Sequence, residues 1–261
     1  MESSLDMSGQ VVIVTGGGKG VGRGITECFL KAGADVLICG RSEPDELIQI
    51  EDRHPHFVAA DIRELDQIAK VIDYARSQWG RIDVLINNAG GAPEADAATV
   101  SPRFSEAILR LNLIAPLHFS QQANAVMQNQ EAGGNIINIA SVSALRPSPG
   151  TAAYGAAKAG LISLTMSLAV EWAPKVRVNA ISAGMIRTEK SHLHYGDENG
   201  IASVGATVPL GRLGEPKDVG NACLYLSSPL ADYVSGSNLL IHGGGEKPAF
   251  LDAAENKSDS P

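Results

Sequence analysis

Residues Val12–Gly24 read VIVTGGGKGVGRG, an apolar run that opens into six glycines in nine residues, with one lysine among them. Glycines this dense let a backbone approach a neighbour closely. That neighbour is the phosphates of ATP, those of a dinucleotide, or only a packed helix. A Walker loop, G-x-x-x-x-G-K-[ST], needs a hydroxyl after its lysine, but Gly20 follows Lys19 and no glycine precedes Gly18 by five. The G-x-G-x-x-G fingerprint is also out of register, because Gly16 and Gly18 would need a glycine where Val21 stands. The spacing that fits is T-G-x-x-x-G-x-G, as Thr15, Gly16, Gly20 and Gly22. It follows a strand-like run and opens a helix-like one, where free N–H groups and the helix dipole favour a pyrophosphate. On this stretch alone, a glycine turn that merely packs a helix on a strand remains the alternative.

Outward from the glycines, apolar runs alternate with helix-like stretches. Strands are predicted at 11–15, 35–39, 56–61, 83–88, 135–141, 176–182 and 237–242. Helices are predicted at 21–32, 64–78, 105–127 (with a kink or break at Pro116) and 153–172, ending before Pro174. Near-continuous apolar strands separated by helices imply a parallel sheet covered on both faces, an α/β class. No linker or composition shift divides the chain before Gly245, so residues 1–245 are expected to be one domain and 246–261 a disordered tail.

The chain has 261 residues, 44% hydrophobic and 19% charged, with net charge -8. An acidic balance argues against nucleic acid or an anionic membrane as main partner, since both need a basic face. No apolar run approaches the ~20 residues that span a bilayer, and the acidic, polar N-terminus is unlike a signal peptide. Cys28, Cys39 and Cys223 lie far apart with no C-x-x-C, which predicts free thiols in a reducing cytoplasm and no metal site.

Four motifs occur in order: TGGGKGVG, NNAG (Asn87–Gly90), a serine closing the fifth strand (Ser141), and YGAAK (Tyr154–Lys158). Together they resemble the classical short-chain dehydrogenase/reductase family, from about Gln10 to Gly245. The resemblance implies a doubly wound Rossmann sheet in the order 3-2-1-4-5-6-7, with a nicotinamide dinucleotide at the carboxyl ends of the strands. It implies cofactor contacts from Gly16, Gly18, Lys19, Gly20, Val21, Gly22, Asn88, Ala89, Gly90, Ile186 and Thr188. Asp61 and Ile62, after the third strand, would meet the adenine, with a helix N-cap as the alternative role for Asp61.

The end of the second strand bears on NAD against NADP. A carboxylate there grips the ribose hydroxyls and repels a 2′-phosphate. Here Gly40 takes the acid's place and Arg41 and Ser42 follow. An arginine fork suits a phosphate and Lys19 adds charge, so NADP(H) is favoured over NAD(H).

Tyr154 and Lys158, four apart, share a helix face. The resemblance makes Tyr154 the general acid/base, its pKa lowered by the Lys158 ammonium and by oxidised nicotinamide. Lys158 would also hold the nicotinamide ribose. Ser141 would hold the substrate oxygen, and Asn112 would hold a water linked to the lysine. The Tyr-x-x-x-Lys spacing resembles the family's carbonyl reductases rather than its enoyl reductases. Two departures stand out: Ala183 replaces the proline usual after strand six, and His242 stands where an aspartate is common. The stretch Glu189–Thr207 corresponds to the substrate lid, and its His192, His194 and Tyr195 are expected in a solvated mobile loop. The implied activity is reversible hydride transfer with a small carbonyl or alcohol substrate, in a homotetramer. A dinucleotide-binding sensor or scaffold is the alternative.

Overall fold

The computed structural model describes residues 5–44, 46 and 48–251. The first four residues, and the tail from 252 for which the sequence predicts disorder, lie outside the described residues. Strands β1 (Val11–Thr15), β2 (Asp35–Gly40), β3 (His56–Ala59), β4 (Val84–Asn87), β5 (Gly134–Ser141), β6 (Val176–Ala183) and β7 (Asn238–Ile241) form one sheet. Its order is β3-β2-β1-β4-β5-β6-β7, every pair parallel, as the resemblance implied.

The unbroken apolar strands have a simple cause. Successive side chains point to opposite faces, and here both faces are covered. Val12, Val14, Val36, Ile38 and Ile86 enter one core, with Ile25 and Phe29 of α1 (Gly20–Lys31) and Val219 and Cys223 of α8 (Pro216–Ser227). Ile13, Leu37, Cys39, Leu85 and Ile136 enter the other, with Ile68 and Val71 of α2 (Leu65–Trp79) and Phe119 and Ala123 of α4 (Ala115–Met127). Each such aliphatic side chain stabilises the fold by roughly 1.5–3 kcal/mol relative to exposure. Asp83 anchors the start of β1: its carboxylate accepts from Val11 N at 2.8 Å and lies in the Arg81 fork at 2.6–3.1 Å.

Three expectations need correction. The predicted helix at 105–127 is two helices, α3 (Pro102–Leu109) and α4, joined by a π-helical turn over Arg110–Ile114. The irregularity centres on Asn112, one turn before Pro116, which sits harmlessly in the first turn of α4. The lid is not a loop: α6 (His192–Tyr195) and α7 (Glu198–Thr207) form there, α7 being capped by the Asp197 carboxylate, which accepts from Gly200 N at 3.0 Å. Lastly, α5 (Ala152–Glu171) is, by length and composition, apolar enough to cross a bilayer. Leu161, Thr165, Leu168 and Ala169 bury one side of it in the protein, and charged Lys158 lies within it.

Candidate active site

The glycine segment forms the turn between β1 and α1 at the carboxyl edge of the sheet. Gly16 and Gly20 have φ of 65° and 50°, the left-handed region that favours glycine. A Cβ on Gly22 would stand 2.2 Å from Gly16 O and 2.5 Å from Asn88 Nδ2. The other glycines serve packing: a Cβ on Gly24 would stand 2.3 Å from Pro216 Cβ, where α8 crosses α1, and one on Gly18 2.7 Å from Pro44. The α1 N-terminus has no side-chain cap and no acidic residue in its first turn. Its unsatisfied N–H groups therefore suit an anion.

Thr15 joins this turn to the NNAG segment after β4, a role that its place in the motif does not reveal. Its hydroxyl accepts from Asn88 N at 3.0 Å and Ala89 N at 2.9 Å. The Asn88 amide donates back to Thr15 O at 2.9 Å. That side chain is spent on bracing the glycine turn. Asn87 turns inward instead, donating to Asn138 Oδ1 and Ser120 Oγ, both at 2.8 Å.

Of the other residues predicted to meet a dinucleotide, Arg41 and Ser42 are exposed just past β2, and Lys19 is exposed beside Gly20. Val21 is half-buried against the first core. Ile62 is buried in the second, which leaves only its backbone for a ligand. Asp61 does not cap α2, whose helix begins after Glu64. Its carboxylate is forked by Arg63, with Nε at 2.9 and 3.2 Å, and this pairing, together with nearby Arg41, holds it below the usual carboxylate range. After β6, Ile186 bridges to Gly214, and Thr188 Cγ2 comes within 3.4 Å of where a Gly20 Cβ would be. The segment that follows β6 thus closes over the glycine turn.

Ser141 ends β5, and Tyr154 and Lys158 lie on consecutive turns of α5. The Ser141 hydroxyl lies close enough to the Tyr154 phenol to favour its charged form, and itself accepts from Ser143 N at 3.2 Å. Lys158 is buried, with Nζ donating to Ile139 O at 2.8 Å and lying 5.7 Å from the Tyr154 ring centroid. Asn112 Oδ1 accepts from Gly91 N at 2.8 Å, and its amide donates to Gly91 O and Ile108 O, each at 3.0 Å. Asn112 Oδ1 and Lys158 Nζ both approach Gly90, at 2.6 and 3.2 Å from a Cβ built there. The four residues therefore converge, but Asn112 uses its side chain to clamp the Gly91 turn and to satisfy the carbonyl of Ile108.

The electrostatics differ from expectation. Burial pushes the Tyr154 phenol up, and the nearby Ser141 hydroxyl opposes it. Burial lowers Lys158 itself, to about 8. Desolvation favours the neutral form of both groups.

A family model described as enoyl-(acyl carrier protein) reductase matches residues 16–246. The chain is 33% identical over 246 residues to 2-dehydro-3-deoxy-D-gluconate 5-dehydrogenase of Escherichia coli K12, covering 93% of this chain and 97% of that protein. It is 32% identical over 246 residues to 3-oxoacyl-[acyl-carrier-protein] reductase of Thermotoga maritima, covering 92% and 99%. The solved structure of aldohexose dehydrogenase from Thermoplasma acidophilum superposes with a TM-score of 0.85 at 31% identity, covering 93% of this chain and 95% of that one. Such likeness over nearly the whole length, in sheet order and in sequence, places the chain in the short-chain dehydrogenase/reductase family, as an oxidoreductase acting on CH–OH or C=O groups with NAD(P).

Proposed function

We propose that the chain is an NADP(H)-dependent oxidoreductase interconverting a carbonyl and a secondary alcohol, with Tyr154 as general acid/base and residues 1–245 as one catalytic unit. The observation that carries this reading is the convergence of Ser141, Tyr154 and Lys158 at the end of β5, beside Gly90 of the segment that Thr15 ties to the glycine turn.

A bound nicotinamide supplies or accepts the hydride. The chain's own residues manage the proton and the charge. In reduction the Tyr154 hydroxyl gives its proton to the carbonyl oxygen, and in oxidation the phenolate oxygen takes the proton of the alcohol. Ser141 donates to the same substrate oxygen and fixes it beside the tyrosine. Lys158, buried and 5.7 Å from the tyrosine ring, favours the phenolate when charged and would hold the nicotinamide ribose. Burial raises the phenol, and the positive charge of an oxidised dinucleotide, when bound, would favour the phenolate.

The uncapped α1 N-terminus and the Gly16–Gly22 turn fit a pyrophosphate. The preference for NADP(H) rests on the end of β2, where Gly40, Arg41 and Ser42 stand and no carboxylate does. A homotetramer is supported by apolar side chains left open on α5 and β7, among them Val170 (80% exposed), Met166 and Leu240. Three free thiols suit a reducing cytoplasm.

The test is a fluorescence titration with NADPH and NADH, followed by turnover of carbonyl substrates by wild type and Tyr154→Phe. Tighter NADPH binding, with turnover abolished and binding retained in the variant, is expected. Substantial turnover by Tyr154→Phe would remove the tyrosine's role. Dinucleotide binding without any turnover would favour a sensor or scaffold.

A further inference from the structure

Segments that leave the carboxyl ends of β5 and β7 are joined by an ion pair, and one that leaves β6 lies within its electrostatic reach. The first carries Arg146, the only charged residue between Ser141 and Lys158. Its loop folds back onto the start of α5: Ser143 O lies 2.8 Å, and Ser148 Cβ 3.3 Å, from where a Cβ on Gly155 would stand. Arg146 lies on this loop, exposed between the two serines that meet Gly155, the residue that follows Tyr154. The segment after β7 brings Glu246, whose Oε1 accepts from Arg146 Nη2 at 2.5 Å. Glu246 belongs to the stretch for which the sequence predicts disorder, yet the pair links positions 100 residues apart. The segment after β6 supplies Tyr195 of α6, half-buried with Ile201, Val208 and Leu213 and within electrostatic reach of both charges.

The pair does not act as a structural staple. Its side chains are 39% and 41% exposed, and ion pairs at such exposure stabilise a fold by only about 0–1 kcal/mol. A half-exposed guanidinium on the loop between Ser141 and Tyr154, matched by a single half-exposed carboxylate, has the chemistry of a carboxylate receptor. Its other nitrogen donates to Pro147 O at 3.0 Å, which orients the fork.

We propose that Arg146 recognises a carboxylate on the substrate, so that the enzyme acts on hydroxy or keto acids, and that Glu246 occupies this receptor until the acid displaces it. The proposal rests on the oxidoreductase function above and adds a substrate class to it.

The experiment uses the full chain saturated with NADPH. An alcohol cannot be oxidised by the reduced cofactor, so the change in its fluorescence reads binding alone. Three matched pairs are titrated: lactate and propane-1,2-diol, 3-hydroxybutyrate and butane-1,3-diol, D-gluconate and D-glucitol. Each pair differs only in carboxylate against CH2OH. At least one acid is expected to bind about tenfold or more tighter than its partner, as a charge-assisted bidentate contact implies. Arg146→Gln is expected to abolish that preference, and Glu246→Gln to tighten the acid roughly threefold by removing its competitor. No preference for any acid, a preference that survives Arg146→Gln, or weaker acid binding in Glu246→Gln would each overturn the proposal. Failure of NADPH itself to bind would defeat the oxidoreductase reading as well, whereas normal NADPH binding without acid preference would defeat only the assignment of Arg146.

Discussion

Gly22 and Gly24 lie two residues apart on α1, and a methyl group on either would collide with backbone, but with different backbone. On Gly22 it would stand 2.2 Å from Gly16 O and 2.5 Å from the Asn88 amide that braces the turn. On Gly24 it would stand 2.3 Å from Pro216 Cβ and 2.6 Å from its carbonyl carbon. Neither neighbour is the tip of a flexible side chain, so the helix must shift. Overpacking of this kind costs about 1–3 kcal/mol, offset by up to about 1 kcal/mol from the better helix propensity of alanine. The net loss is of order 1–2 kcal/mol for each variant, and at about 2–4 °C per kcal/mol a few degrees in Tm. Function separates them. Gly22→Ala displaces the Gly16 carbonyl and the Thr15–Asn88 brace, and with them the N–H groups proposed to hold the pyrophosphate. Gly24→Ala moves α1 against α8, away from the turn. Thermal melts should give similar Tm losses, whereas NADPH titration should show at least about a tenfold loss, or about 1.4 kcal/mol, for Gly22→Ala only. Normal NADPH affinity in Gly22→Ala, despite the lowered Tm, would refute the assignment of this turn to the cofactor.

Arg41→Ala is expected to weaken NADPH by about 10- to 100-fold, the range of a charge-assisted hydrogen bond, and to leave NADH nearly unchanged; equal losses would place Arg41 outside a 2′-phosphate contact. Lys158→Met tests the buried amine. Its pKa falls from the usual 10.5 to about 8 on folding, so between these values the unfolded chain holds the proton that the folded one has lost. Wild-type stability should therefore rise relative to Lys158→Met as pH goes from 8 toward 10.5 and run parallel to it below 8, as urea melts across this range would reveal. Asp83→Ala removes the acceptor of Val11 N and the partner of Arg81, and should cost about 1–3 kcal/mol of stability in urea melts with the m-value kept. A loss under half a kilocalorie would mean that water replaces the carboxylate at the foot of β1.

The sequence by itself determined the elements and the local chemistry. Each strand is written as consecutive apolar residues, because both faces of a parallel sheet are buried, and glycine spacing excluded the Walker loop without any structure. Strand order was legible only through the resemblance carried by TGGGKGVG, NNAG, Ser141 and YGAAK, since periodicity does not say which strands are neighbours. What tertiary structure alone decided are relations between distant segments and the solvation they create. Thr15 pins Asn88 across 73 residues, and Arg146 meets Glu246 across 100. Asn112 replaces backbone bonding inside a π-helical turn, and Asp61 closes on Arg63 rather than on α2. The direction of the Tyr154 and Lys158 shifts belongs here too. The i,i+4 spacing places the two groups on one face, but only the packed fold removes water from both. Desolvation then opposes charge on each, and no pattern of neighbouring letters encodes how much water the rest of the chain excludes.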